Sequence, residues 1–108
     1  MHVTVEQTGT ADEILLAGRL DARAAGPVRD TLHTVLAAGS GRLVVDLSEV
    51  ELVDATGLGV LVGAHRRARL DGGELVLRGT TPRVARLLRL TRLDRVITLE
   101  PALSPVPV

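Results

Sequence analysis

The chain has no cysteine, phenylalanine, tyrosine or tryptophan, and no lysine among its 108 residues. Without cysteine there are no disulfides, no thiolate metal sites and no thiol nucleophile. Without aromatic rings the core must be assembled from Leu, Val, Ile and Ala. Single-stranded nucleic acid is usually held by bases stacked on aromatic side chains, and that platform is missing. A tight protein interface must here rely on arginine and aliphatic side chains instead of Trp or Tyr anchors. All thirteen basic residues are arginine; together with the abundant alanine, this reads as codon usage. No apolar run approaches the ~20 residues of a membrane-spanning helix. The opening Met1-His2-Val3-Thr4-Val5-Glu6 lacks the basic start and apolar run of a signal peptide, so the expected location is cytoplasmic, away from membranes. His2, His33 and His65 have no metal-ligand spacing. No nucleophile stands beside a positioned base, so the expectation is a non-enzyme with no cofactor and no metal.

What is present fits one small domain. Hydrophobic residues make up 45% of the chain, and a domain of this size buries roughly 65% of its unfolded surface. The formal net charge is zero but unevenly placed. Residues 1–64 carry four arginines against nine carboxylates, and residues 65–95 carry nine arginines against three. Such a basic segment is either a solvated face on two helices or an electrostatic docking face for an acidic partner. Direct binding of nucleic acid would rest on these arginines alone, with no binding motif beside them.

Val3 and Val5 alternate with polar residues, as in a strand. Gly9 with Asp12 marks a turn, and residues 13–18 read as a second strand, a hairpin partner of the first. Asp21 is placed to cap a helix whose apolar residues Ala24, Ala25, Val28, Leu32, Val35 and Leu36 recur at helical spacing up to Gly39. The run Leu43-Val44-Val45-Asp46-Leu47 reads as a central strand. Residues 48–54 read as a connection. A helix follows Thr56-Gly57-Leu58-Gly59, burying Val60, Leu61, Ala64 and Ala68, and stops at Asp71-Gly72-Gly73. Residues 74–78 form a strand, and Thr81-Pro82 opens a third helix with a cap and an N1 proline. Residues 96–99 form a last strand. The tail with Pro101, Pro105 and Pro107 is expected to fray. The order β-β-α-β-α-β-α-β predicts an α/β fold with a small mixed sheet of four to five strands and helices packed mainly on one face. The expected single domain is 1–100, with 101–108 as tail.

The informative stretch runs from Val44 to Ala64. A buried strand ends near Asp46, a loop returns to Asp54, and Thr56 stands at or just before a helix start. A helix N-terminus exposes free N–H groups and a positive dipole end, which suits an anion. Gly57 and Gly59 remove side chains around the Thr56 hydroxyl, so a partner can come close. A phosphate there would add nearly two negative charges. The same residues are also compatible with an ordinary cap and an ordinary tight turn. Gly57-x-Gly59-x-x-x-Gly63 is a poor dinucleotide fingerprint, its third glycine one residue late. Asp21, Asp46 and Asp54 would serve a hard metal if they clustered, but such acids are more often caps and turn formers.

The segments Asp46-Leu47-Ser48 and Val53-Asp54-Ala55-Thr56-Gly57-Leu58-Gly59-Val60-Leu61-Val62-Gly63 resemble the signature of STAS domains, specifically bacterial anti-sigma factor antagonists. Gly18-Arg19-Leu20-Asp21, residues 72–77 and Leu90-Thr91-Arg92-Leu93-Asp94-Arg95-Val96-Ile97 resemble further parts of that family, in order, over roughly residues 3–100. The resemblance implies an antagonist that binds an anti-sigma factor which is itself a Ser/Thr kinase, is released when phosphorylated in this loop, and is reset by a phosphatase. It makes Thr56 the acceptor and Asp21, Asp54, Ala55, Thr56, Gly57, Leu58 and Gly59 the partner-binding set. Separately, the sequence shows no obvious extra apolar patch, so the expected state when unbound is a monomer. The family loop usually has two hydroxyl residues after the aspartate, and here the first is Ala55. The family's C-terminal stretch usually has glycine where this chain has Arg92. STAS domains also serve as non-switching scaffolds and as accessory subunits of lipid transporters, and that is the alternative reading.

Overall fold

The structure is a computed structural model that describes residues 1–7, 10–39 and 41–102. Strands β1 (His2–Gln7) and β2 (Asp12–Leu20) are followed by helix α1 (Ala22–Ala38), strand β3 (Arg42–Val53), helix α2 (Ala55–Leu70), strand β4 (Glu74–Arg78), helix α3 (Pro82–Leu90), a 3₁₀ turn (Leu93–Arg95) and strand β5 (Thr98–Glu100). The sheet order is β1-β2-β3-β4-β5, with β1 antiparallel to β2 and the rest parallel. The element order and the mixed sheet are those read from the sequence. The expected turn at Gly9 and the tail beyond residue 102 lie outside the described residues.

Three helix starts follow local chemistry. Asp21 accepts from the N–H groups of Arg23 and Ala24. Asp54 accepts from Gly57 N–H. The Thr81 hydroxyl accepts from Val84 N–H, with Pro82 at the first helical position. One core gathers Ile14, Leu16, Leu43, Val45, Leu47, Leu75 and Leu77 from one sheet face with Val28, Leu32, Leu61, Ala64, Val84 and Leu88 from the three helices.

The opposite sheet face carries Val44 and Val76, both buried. Arg78 on β4 reaches across β3 to Glu13 on β2 at 3.0 Å and also holds Asp46 at 3.1 Å. Arg42 on β3 reaches Glu100 on β5 at 2.6 Å. The strand registers place Val44 beneath the first diagonal and Val76 beneath the second. The arginine stems thus cover apolar surface while their heads are paired. Arg78 hydrogen-bonds Glu13 and holds its carboxyl below the usual range, against burial. Burial pushes Asp46 up, but the Ser48 hydroxyl and N–H, with Arg78, outweigh it and leave Asp46 below its ordinary value.

Two expectations change. Residues 48–53, read as a connection, continue β3 and pair with β2. The β2–β3 register shifts twice, each time with an extra residue on β3. These bulges break the two-residue alternation by which a strand is recognised. The last strand begins at Thr98 instead of Val96, because the 3₁₀ turn takes the preceding residues and leaves Val96 exposed.

Arg92 adopts φ +60°, the one non-glycine residue with positive φ among the described residues. That conformation costs an L-residue roughly 1–2 kcal/mol, part of which glycine gives back in unfolded-chain entropy. Arg92→Gly is therefore expected to stabilise the domain by about 0.5–1 kcal/mol. Thermal unfolding checks this, and an unchanged or lower midpoint would refute it.

Candidate functional site

Strands β2 and β3 are parallel neighbours, so α1 and α2 both begin at the same end of the sheet. In parallel α/β sheets this carboxyl end of the strands is where sites form. Asp54 joins the two helix starts. Its Oδ1 accepts from Gly57 N–H at 2.8 Å, and its Oδ2 accepts from Ala22 N–H, the first residue of α1, at 3.0 Å. Its own N–H donates to the Leu20 carbonyl at 3.2 Å. Asp21 caps α1 beside it. Two carboxylates thus stand against two positive dipole ends.

This arrangement revises the view of the α2 start as an open anion site: Asp54 already fills that role. It also settles which residue caps the helix. Thr56 is the second residue of α2, it is exposed, and its hydroxyl is not the cap. Ala55 and Gly59 are exposed beside it, while Leu58 is half-buried against the core.

The two glycines have different reasons. Gly57 is buried, and a Cβ there would lie 2.0 Å from the Leu20 carbonyl oxygen. It lets α2 seat on the end of β2, so the expectation that it clears space for a partner is corrected. A Cβ at Gly59 would meet nothing within 4 Å. Gly59 therefore leaves surface open with no demand from the fold.

From Thr56 a groove of about 520 Å³ runs between α2 and α1. Its floor is Gly59, Val60 and Gly63, and Arg29, His33 and Arg66 stand along it. Nothing in the linear sequence joins Arg29 to Thr56; the parallel packing of α1 on α2 does. Asp46, considered with Asp21 and Asp54 as a metal cluster, is instead committed to Arg78 and Ser48. Among the described residues no group of three or more His, Asp or Glu could hold a metal. No helix among them is long and apolar enough to cross a membrane.

The family model described as Mlab, STAS domain matches residues 3–101. An anti-sigma-B factor antagonist of Listeria monocytogenes is 39% identical over 88 residues, covering 82% of this chain and 77% of its own. The anti-sigma-B factor antagonist of Bacillus subtilis is 32% identical over 99 residues, covering 92% and 90%. The crystal structure of an anti-sigma factor antagonist from Mycobacterium paratuberculosis matches with a TM-score of 0.85 at 26% identity, over 94% of this chain and 86% of that one.

Proposed function

The chain belongs to the STAS domain family, and from that membership we propose that it is an anti-sigma factor antagonist that binds an anti-sigma factor Ser/Thr kinase and is switched off by phosphorylation at Thr56. The observation that carries this reading is the state of the Thr56 hydroxyl. It is exposed at the second residue of α2, and capping is done by Asp54, so the hydroxyl can be modified without unseating the helix.

The chemistry follows from that position. The hydroxyl oxygen attacks the γ-phosphorus of ATP held by the kinase, its proton leaves, and ADP departs. The product carries about −1.5 to −2 charges at neutral pH. Thr56 is exposed and Asp54 keeps the cap of α2, so this charge stands in solvent and the antagonist stays folded. At an interface the same charge must be desolvated beside the partner, which opposes binding. A phosphatase returns the hydroxyl by transferring the phosphoryl group to water. Within the proposed binding set, Ala55, Thr56 and Gly59 make the contacts. Gly57, Leu58, Asp54 and Asp21 hold that surface in place from beneath and beside.

The test has two parts. Incubation with the kinase and ATP is expected to add one phosphate, mapped to Thr56 and absent from Thr56→Ala. In binding assays Thr56→Ala is expected to bind the kinase and stay bound when ATP is added, while Thr56→Glu binds at least about tenfold more weakly, as for a charge placed in an interface. Equal affinity of all three proteins overturns the switch. Binding without any phosphate would favour the second reading, a non-switching scaffold or transporter-accessory subunit, for which Ala55 in place of a second hydroxyl is the motivating feature.

A further inference from the structure

The groove that starts at Thr56 has a one-sided charge character. None of the residues lining it is acidic. Among the described residues, Arg67 at its far end pairs with Asp71 at 3.1 Å, but Arg29 and Arg66 have no carboxylate partner. Two unpaired guanidiniums therefore flank a floor of Gly59, Val60 and Gly63. Leu70 lies 83% exposed at the end of the same groove.

The floor has a cost. Glycine inside a helix is less favourable than alanine by roughly 1 kcal/mol. Neither Gly59 nor Gly63 has a neighbour that a Cβ would strike. Packing within this domain thus gives no reason for either glycine, whereas close approach by something lying in the groove does.

We infer that the α1–α2 groove receives an acidic amphipathic helix of the partner, with its apolar face on Gly59, Val60, Gly63 and Leu70 and its carboxylates on Arg29 and Arg66. A helix in a groove between helices is a standard mode of recognition, read through anchors one turn apart. Charge complementarity chooses the occupant, because a basic helix would meet two unpaired cations and a neutral one would leave them unmatched. The recess beside α3, with Arg83 and Arg86, holds about 240 Å³ and does not include Thr56.

This inference rests on the proposed function and deepens it. A phosphate on Thr56 stands at the head of the groove. Its charge of nearly −2 offsets the two arginines and repels the carboxylates of the helix. Release then follows from the loss of a positive landing field as well as from crowding at Thr56.

The experiment uses the whole chain, isotope-labelled for NMR, and a synthetic amphipathic helix with glutamates on one face and leucines on the other. At low ionic strength its shift changes are expected along Thr56, Gly59, Gly63, Arg29 and Arg66, weakening toward about 0.15 M salt. Arg29→Gln with Arg66→Gln is expected to weaken binding about tenfold. Gly59→Leu is expected to weaken it by a similar factor by filling the groove, since a Cβ at this position meets nothing within 4 Å in the folded protein. Thr56→Glu is expected to weaken it severalfold, and Arg83→Gln with Arg86→Gln to leave it within about twofold. No binding, shifts that map to α3, or an unchanged affinity in the Arg29, Arg66 double variant each overturns the inference. Because the peptide assay needs no kinase, its outcome is separate from that of the phosphorylation test. Phosphate on Thr56 with a neutral groove would sink only this inference, and a binding groove without phosphate only the switch.

Discussion

Replacing Arg78 by alanine is expected to destabilise the domain by about 3–5 kcal/mol, the cost of leaving buried Asp46 and half-buried Glu13 without their arginine. Arg78 is 5% exposed and Asp46 is 8% exposed, so neither is rescued by water. Arg78 also ties β4 to β2 across β3 through Glu13. The change removes that diagonal and uncovers Val44. A midpoint lowered by roughly 10–20 °C in thermal unfolding is the expected result. An Arg78→Ala protein within 1 kcal/mol or so of the parent would show that the cluster contributes little. The triple variant Arg78→Met, Asp46→Leu, Glu13→Leu separates charge from shape. Buried ion clusters replaced as a whole by apolar residues are often neutral or better, so it is expected to recover most of the loss.

The same cluster sets a pH dependence. Glu13 and Asp46 both lie below their ordinary values in the folded protein. A carboxylate lowered in this way contributes stability that is present above its unfolded pKa. That contribution is lost as the pH falls through about 4 and below, where the unfolded chain binds more protons than the folded one. Arg78 is shifted further up and stays charged throughout, so it does not titrate in this window. Denaturation at pH 7, 5 and 3 is expected to show a loss at the acid end that the triple variant lacks. Parallel pH profiles for the two proteins would assign the acid loss elsewhere.

Gly57→Ala is the second large effect, and it is expected to destabilise by about 3 kcal/mol, near the upper end for overpacking. The added methyl would stand 2.0 Å from the Leu20 oxygen and 2.9 Å from its carbonyl carbon. The methyl has no rotamer and its neighbour is backbone, so no side-chain adjustment relieves the clash. Helix α2 must lift from the end of β2. In doing so it strains the hydrogen bond from Asp54 N–H to Leu20 and the link from Asp54 to Ala22. Gly59→Ala, two residues along the same helix, is expected to stabilise by about 0.8–1 kcal/mol through helix propensity, since its methyl meets open space. Urea unfolding of the two variants should move in opposite directions. A Gly57→Ala protein as stable as the parent would mean that the α2 start is looser than its packing implies. It would also restore the reading of Gly57 as a cleared approach for a partner.

Much of the architecture was legible because its signals are local. Apolar residues at three- and four-residue spacing marked α1 and α2. Asp21, and Thr81 before Pro82, announced two helix starts through chemistry that needs only the next few residues. The continuation of β3 past Leu47 was not legible, because its two bulges erase the alternation and their cause lies in the pairing with β2. At the site, the exposed Thr56 at a helix start was legible. The double role of Asp54 was not, because the bond that ties it to the start of α1 goes to Ala22, thirty-two residues away.

The order of the elements, the aliphatic core, the uneven charge and the Thr56 segment can be read along the chain, because each depends on near neighbours in it. Tertiary packing is what closes Gly57 with Leu20 and leaves Gly59 open. It alone brought Glu13, Asp46 and Arg78 together, and it alone set Arg29 and Arg66 along the groove below Thr56. Those contacts join residues far apart in sequence, and they exist only once strand register and helix packing have placed them side by side.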